Sequence, residues 1–154
     1  LLNIKLKNAL HLLNSLLMYS LKYESSLHTV ILILNGVLFP EEYKTAWLNA
    51  LNLMAENHTN RFLIDARHHK AISIENQCWF KKEFLELAHR KGKQMPDRPK
   101  VARINSPDID NISAMNSINR QIAESNYSFE YKTFDDYQDG AAWLFEEYAV
   151  AVGN

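Results

Sequence analysis

The chain is poor in the residues on which several function classes depend. One cysteine among 154 residues can form neither an intramolecular disulfide nor a cysteine-based zinc site, which removes the stapled secreted folds and points to a reducing compartment. The four glycines (Gly36, Gly92, Gly140, Gly153) are widely spaced, so the clustered glycines of Walker and dinucleotide-binding loops are missing. Charge of one sign is lacking too: 17 Lys+Arg against 18 Asp+Glu give a net −1, with no global attraction to nucleic acid or to an acidic membrane. Long apolar runs are also absent. Lys5, Asn8, His11 and Asn14 interrupt the leucine-rich first 17 residues, which read as neither a membrane span nor a convincing signal-peptide core. What is present is one domain's length with 47% apolar residues, enough for a packed core.

Residues 1–17 read as an amphipathic helix, with Leu2, Leu6, Ala9, Leu10, Leu12, Leu13, Leu16 and Leu17 on one half of the wheel. Met18 immediately precedes the first strand, so this helix is expected to be an extension to a domain spanning 18–150, with 151–154 as a tail. The sharper reading is a helix lying on a membrane surface or on a partner.

Beyond Met18 the pattern is α/β. Ser20–Glu24 and His28–Leu34 form two extended runs around a Ser25-Ser26 turn, which predicts a hairpin. The run Val30-Ile31-Leu32-Ile33-Leu34 is continuously apolar, as a strand covered on both faces requires. Pro40 opens a helix with Glu41 and Glu42 in its first turn, where the helix dipole favours acids, and with a stripe of Tyr43, Ala46, Trp47, Ala50, Leu51, Leu53 and Met54. A strand Arg61–Asp65, a polar loop 66–71, and a helix capped by Ser73 and running to about Lys91 follow. Next come a basic connection, a strand Lys100–Asn105, and a helix from Pro107-Asp108 with Ile109, Ile112, Met115, Ile118 and Ile122 at helical spacing. A strand Ser128–Phe134 and a helix 136–150, with Asp135 and Gln138 as a capping box, close the chain. The predicted order is β-β-α-β-α-β-α-β-α: strands alternating with helices imply parallel crossovers, and the hairpin makes the sheet mixed.

The densest polar cluster is Asp65, Arg67, His68, His69 and Lys70, past the carboxyl end of a strand, where ligands sit in open α/β sheets. His68 and His69 with Asp65 could ligate a metal or form an acid/base pair, but adjacent residues seldom direct both side chains to one point, and no HxxxH or HExxH pair accompanies them. A solvated loop with Asp65 capping local amides is the favoured reading, and no catalytic or metal role is assigned to them. Cys78 falls beside Ile74 and Leu85 on the apolar side of its helix and reads as an inert core thiol; no serine lies in a GxSxG elbow. The pairs Glu41-Glu42, Asp108-Asp110 and Asp135-Asp136 all start helices and need no catalytic role. Arg90, Lys91, Lys93, Arg98, Lys100 and Arg103 form a basic stretch that could bind phosphates or anionic headgroups. A solvated connection after a helix C-terminus, where cations are favoured, is the plainer reading, and the lack of interleaved aromatics speaks against nucleic acid.

The helix after Ser73 says more. Ile74, Cys78, Phe80, Phe84, Leu85, Leu87 and Ala88 cover about half its circumference, wider than the ~100° stripe of a surface helix. Trp79 lies off that stripe among Lys82, Glu83 and Glu86, which suggests a partner surface or a lid over an apolar pocket.

The segments VILILNGVLFPEEYKTAWLNAL, RFLIDARHHKAISIENQCWFKKEFL and FDDYQDGAAWL resemble the SpoIIAA-like branch of the STAS superfamily, over about Tyr19 to Tyr148. The resemblance implies a small bacterial, cytoplasmic α/β module with a mixed sheet, no enzymatic activity and no cofactor or metal. Classical relatives bind partner proteins and are switched by phosphorylation in a D-S-[ST]-G segment at the start of the helix after the third strand. The matching stretch is Ile72-Ser73-Ile74-Glu75-Asn76, without glycine or paired hydroxyls. A phosphate on Ser73 would add about two negative charges at a helix N-terminus, a favourable place. Relatives in this branch also resemble lipid-handling CRAL-TRIO modules, which implies binding of an apolar ligand or a membrane surface.

The expectation is thus a non-enzymatic regulatory module binding a protein partner, or a second copy as a homodimer, through a surface at Ser73, Glu75, Trp79, Phe80 and Phe84. The second reading is an apolar-ligand or membrane-associating protein whose helix 73–91 moves as a lid. An enzyme using Asp65, Arg67, His68 and His69 comes third.

Overall fold

Why the strands order as they do follows from chain direction and handedness. The computed structural model of the chain describes residues 2–16 and 18–152, with side chains over 2–9 and 18–146. After a helix α1 (Leu2–Leu16), β1 (Tyr19–Glu24) pairs antiparallel with β2 (Thr29–Gly36), from Tyr19↔Leu34 to Glu24↔Thr29. The β3 (Arg61–His69), β4 (Lys100–Ile104) and β5 (Glu130–Phe134) strands then add in parallel, giving the sheet order β1-β2-β3-β4-β5. Because the strands advance in one direction, right-handed crossovers place every connecting helix on the same face. These helices are α2 (Pro40–Glu56), the helix Ile74–Lys93, and α5 (Ile109–Glu124). The last helix, α6 (Tyr137–Val152), takes the other face.

The burial pattern bears this out. Val30, Leu32, Phe62 and Ile64 join Tyr43, Trp47, Phe80, Phe84, Met115 and Ile118 in the larger core, while Ile31, Leu63, Ala102 and Ile104 meet Leu144 on the opposite face. The continuously apolar β2 is therefore covered on both sides, as expected. The mixed sheet and element order are those predicted, including the N-terminal helix. On α1 the apolar Leu2, Ile4 and Leu6 are exposed; the side chains of Leu10, Leu12, Leu13, Leu16 and Leu17, on which its predicted apolar face depends, lie outside the described residues, as do tail positions 153–154. Among the described residues no helix is long and apolar enough to cross a membrane.

Several local expectations are corrected. The segment expected as a polar loop at 66–71 continues β3 as far as His69, because Asn35↔His68 and Gly36↔His69 still pair and the Lys70 N–H reaches the Gly36 carbonyl at 2.8 Å. The helix after Ser73 is α3 (Ile74–Trp79), a π-helical turn at Phe80–Phe84, and α4 (Leu85–Lys93). The Leu85 N–H donates to the Phe80 carbonyl, and this extra residue in one turn resets the phase of the apolar positions. Ile74 and Cys78, predicted for the buried stripe, consequently face solvent, while Asn76, Phe80, Phe84 and Leu85 turn inward. On α5 the inward positions are Asn111, Ala114, Met115 and Ile118, so that Ile109 and Ile112, predicted for the apolar stripe, are exposed. At α6 the cap is Asp136, which accepts from the Asp139 N–H at 3.1 Å, whereas Asp135 instead accepts from Asn105 Nδ2.

Candidate functional site

The Asp65–His69 segment does not converge. Between Ile33/Asn35 on β2 and Asp65/His68 on β3 the register slips by one residue, a β-bulge that reverses which face later side chains occupy. Asp65 points to the α6 side, where Arg67 grips it with Nε at 2.9 Å and Nη2 at 2.8 Å while its guanidinium lies 4.9 Å from the Tyr137 ring. Burial would raise the Asp65 carboxyl, but the Arg67 hydrogen bonds and charge outweigh it and hold the pKa below the ordinary carboxylate value. Past the bulge, His69 turns to the helix-covered face, buried and stacked on Tyr43, while His68 is exposed. Burial, aided by the positive charge of Arg103, pushes the His69 pKa down to about 3, so the ring is neutral. The side chains that an acid/base or metal site would need together are thus split between two faces of the sheet, and among the described residues no group of three ligating side chains gathers.

The helix-covered face instead holds a cavity of about 510 Å³ beneath α4, between α2 and the end of α5, over the first residues of β3 and β4. That volume lies in the ~300–1,000 Å³ range of small-molecule sites. Trp47, Leu51 and Met54 wall it from α2, Phe62 and Ile64 from the sheet, and Phe80, Phe84 and Ala88 from the helix opposite. Its wall is set by the π turn. Phe80 and Phe84 stack at 4.7 Å with planes 26° apart, and each packs on Trp47, at 4.9 and 5.2 Å. Polar groups stand among the lining residues His28, His58, Lys91 and Asp97.

At its inner end Trp47, Ile64, Phe80, Ile122 and Tyr131 also line a second space of about 20 Å³, into which Arg103 projects. Arg103 is 2% exposed. Its Nη2 donates to Asn111 Oδ1 at 3.3 Å, and its Nε has no partner among the described residues. Among the described residues no carboxylate pairs with it. Its titratable neighbours are uncharged: burial raises the Tyr43 phenol well above its ordinary value and pushes Tyr131 up to about 12, and His69 is neutral.

The residues expected to form one surface divide. Ser73 and Glu75 are exposed, and Ser73 caps α3 as predicted, its Oγ accepting from the Asn76 N–H at 3.1 Å. Trp79 is not a free projection: it is half-buried against Tyr43 at 6.1 Å and Phe84 at 5.7 Å. Phe80 and Phe84, at 6% and 4% exposure, belong to the core and the cavity and cannot meet a protein partner from the surface. The basic stretch also disperses. Arg98 Nη2 donates to the Phe129 carbonyl, Lys100 Nζ lies 4.3 Å from the Trp143 ring, Lys91 joins the cavity wall, and Arg103 is interior. Read by charge alone, the sequence places Arg103 in the basic stretch with Arg98 and Lys100 and gives no sign that it leaves that stretch for the interior, although its immediate neighbours, Ala102 and Ile104, are apolar. The alternation of Val101 and Arg103 on one face of β4 was the available signal.

No family model and no curated protein matches the chain. Among solved structures it is similar to that of an uncharacterized DUF3478-family protein with a SpoIIAA-like fold from Shewanella loihica PV-4, at 19% identity, covering 82% of this chain and 91% of that one with a TM-score of 0.51. The fold of this chain is accordingly SpoIIAA-like.

Proposed function

We propose that this protein is a non-enzymatic module that binds an apolar small molecule in the cavity beneath α4. The observation that carries the reading is the roughly 510 Å³ space walled by Trp47, Leu51, Met54, Phe80 and Phe84, in a place where a core would ordinarily close on itself. The helix Ile74–Lys93 forms one wall and carries a π turn, a feature that recurs at functional sites. The space opens to solvent beside the exposed residues His58, Gln94, Pro96 and Asp97, and that mouth is the entry route under this reading. Dodecanol titrated against the intrinsic fluorescence of the protein tests it, because Trp47 lines the cavity. Saturable quenching in the wild type, abolished in a folded Ala88→Phe variant that fills the space, is the expected result. Absence of any binding by the wild type overturns it.

A second reading, docking of a protein partner or a second copy, draws on a different end of the molecule. Phe39, Ile74 and Ile109, at 77%, 77% and 79% exposure, stand at the entries to α2, α3 and α5, the three helices that follow β2, β3 and β4. Parallel strands bring those entries to one edge of the sheet, and Ser73 belongs to the same edge. The exposed apolar residues there support a regulatory contact, cytoplasmic by the resemblance. Light scattering on the wild type and on Phe39→Ser/Ile74→Ser/Ile109→Ser tests the homodimer. A dimer mass that falls to monomer in the variant supports it, and a monomer mass in both removes it.

A further inference from the structure

We infer that the ligand of this cavity is an amphipathic anion, a chain carboxylate that enters head first and places its carboxylate against Arg103. The inference rests on the cavity reading above and adds the chemical class of the ligand and its direction. A guanidinium that is 2% exposed and faces no described carboxylate is an uncompensated interior charge. Such a cation attracts an anion far more strongly than one in water, because the surrounding dielectric is low. Its Nε is a donor without a partner among the described residues, and Nη2 holds Asn111 over a long 3.3 Å. One oxygen of a carboxylate can accept from that Nε–H as a charge-assisted hydrogen bond, with the rest of the head at the junction of the two spaces.

The two spaces supply the rest of the ligand's shape. The inner one, about 20 Å³, has room for about one oxygen or water beside Arg103. The outer one, about 510 Å³, has aromatic and aliphatic walls suited to a hydrocarbon chain. Trp47 and Phe80 stand at the junction, and Phe80 begins the π turn. Among the described residues no carboxylate is paired with Arg103 at the inner end: Tyr43 and Tyr131 are phenols, His69 is an imidazole, and Asp108, which acts on His69, is engaged by the Asn111 N–H and by Lys70. Lys91 and His58 line the outer space, so the opposite orientation, head outward, is a distinct alternative that the experiment must separate.

Chain-matched probes do so. Dodecanoate, dodecanol and dodecylphosphocholine are titrated separately into the wild type and into Arg103→Met, followed by calorimetry. Dodecanoate is expected to bind the wild type at least about ten-fold more tightly than dodecanol, the contrast a charge-assisted hydrogen-bond pair gives. In Arg103→Met that preference is expected to vanish while dodecanol still binds. Equal affinity for the two probes in the wild type overturns the inference, and so does a preference that survives in Arg103→Met. Should Arg103→Met not fold, dodecylphosphocholine decides with the wild type alone. A head too large for the inner space is rejected if it must go in first, and binding as tight as dodecanoate's overturns the orientation. Failure of dodecanol and dodecanoate alike would sink the cavity reading itself, a different outcome from dodecanol binding without a carboxylate preference.

Discussion

The imidazole of His69 lies stacked on the phenol of Tyr43, with centroids 6.4 Å apart and planes 24° from parallel, on the face of the sheet opposite the Asp65–Arg67 pair. One extra residue in β3 produces that separation, and it turns a compact polar stretch of sequence into two unrelated features.

A pH prediction follows from the buried ring. The unfolded chain takes up the proton on His69 near the ordinary 6.5, whereas the folded protein keeps the ring neutral down to about 3. Between those values the unfolded state binds more protons, so stability is fully present above pH 6.5 and falls as the pH falls through that window. The slope attributable to His69 is up to about 1.4 kcal/mol per pH unit. Urea unfolding at pH 7, 6 and 5 measures it, and His69→Gln is expected to show the shallower dependence. The Asp65 carboxylate, held below its ordinary 3.8, adds a loss of the same sign only at lower pH.

Ser73→Ala removes the oxygen that accepts the Asn76 N–H. The expected cost is about 1 kcal/mol, a fall in Tm of roughly 2–4 °C. Ser73→Asp should retain most of the stability, since aspartate also caps and its charge suits a helix N-terminus. Thermal melts of the three proteins check both statements, and they show whether charge at this exposed position is tolerated by the fold.

Trp79→Ala separates packing from display. A tryptophan presented to a partner would be replaceable at little cost to the isolated protein. Packed on Tyr43 and Phe84, it is expected to cost about 2 kcal/mol, measured by urea unfolding.

Gly140→Ala tests the α6 face. A methyl group there would run into Ile104 Cδ1 and lie 3.2 Å from Phe134 Cδ2, both in or beside the smaller core. Overpacking of this kind costs about 1–3 kcal/mol, and a drop in Tm without change in dodecanol binding is expected, because the cavity lies across the sheet.

Arg103→Met in the absence of ligand carries the opposite expectation from most core changes. Replacing an uncompensated interior cation by an apolar side chain of similar length removes a desolvation cost, so the variant is expected to be at least as stable as the wild type. A loss of more than about 3 kcal/mol in urea would show that the guanidinium is instead held by favourable partners.

Much of the architecture is legible in the residues alone, because it depends on short-range rules. The serine turn and continuous apolar run of β2, Pro40 with its acidic first turn, and the caps Ser73 and Asp108 each act within a few residues of chain. Periodicity also locates the inward face of α2, where Tyr43, Ala46, Trp47, Ala50 and Met54 are buried as the wheel requires. It misplaces Ile74 and Cys78 because a wheel assumes a constant angle per residue, and the π turn breaks that constancy.

By itself, then, the sequence determined the order of elements, the mixed sheet and the absence of glycine-loop and cysteine chemistry, since each is a property of local backbone preference or of composition. Only the tertiary structure decided that Asp65 and His69 face apart, that Phe80 and Phe84 wall a space, and that Arg103 sits in the interior without a described carboxylate partner. A bulge depends on pairing with another strand, and a cavity is the place where surfaces distant in sequence do not meet. Neither is encoded in any one stretch of the chain.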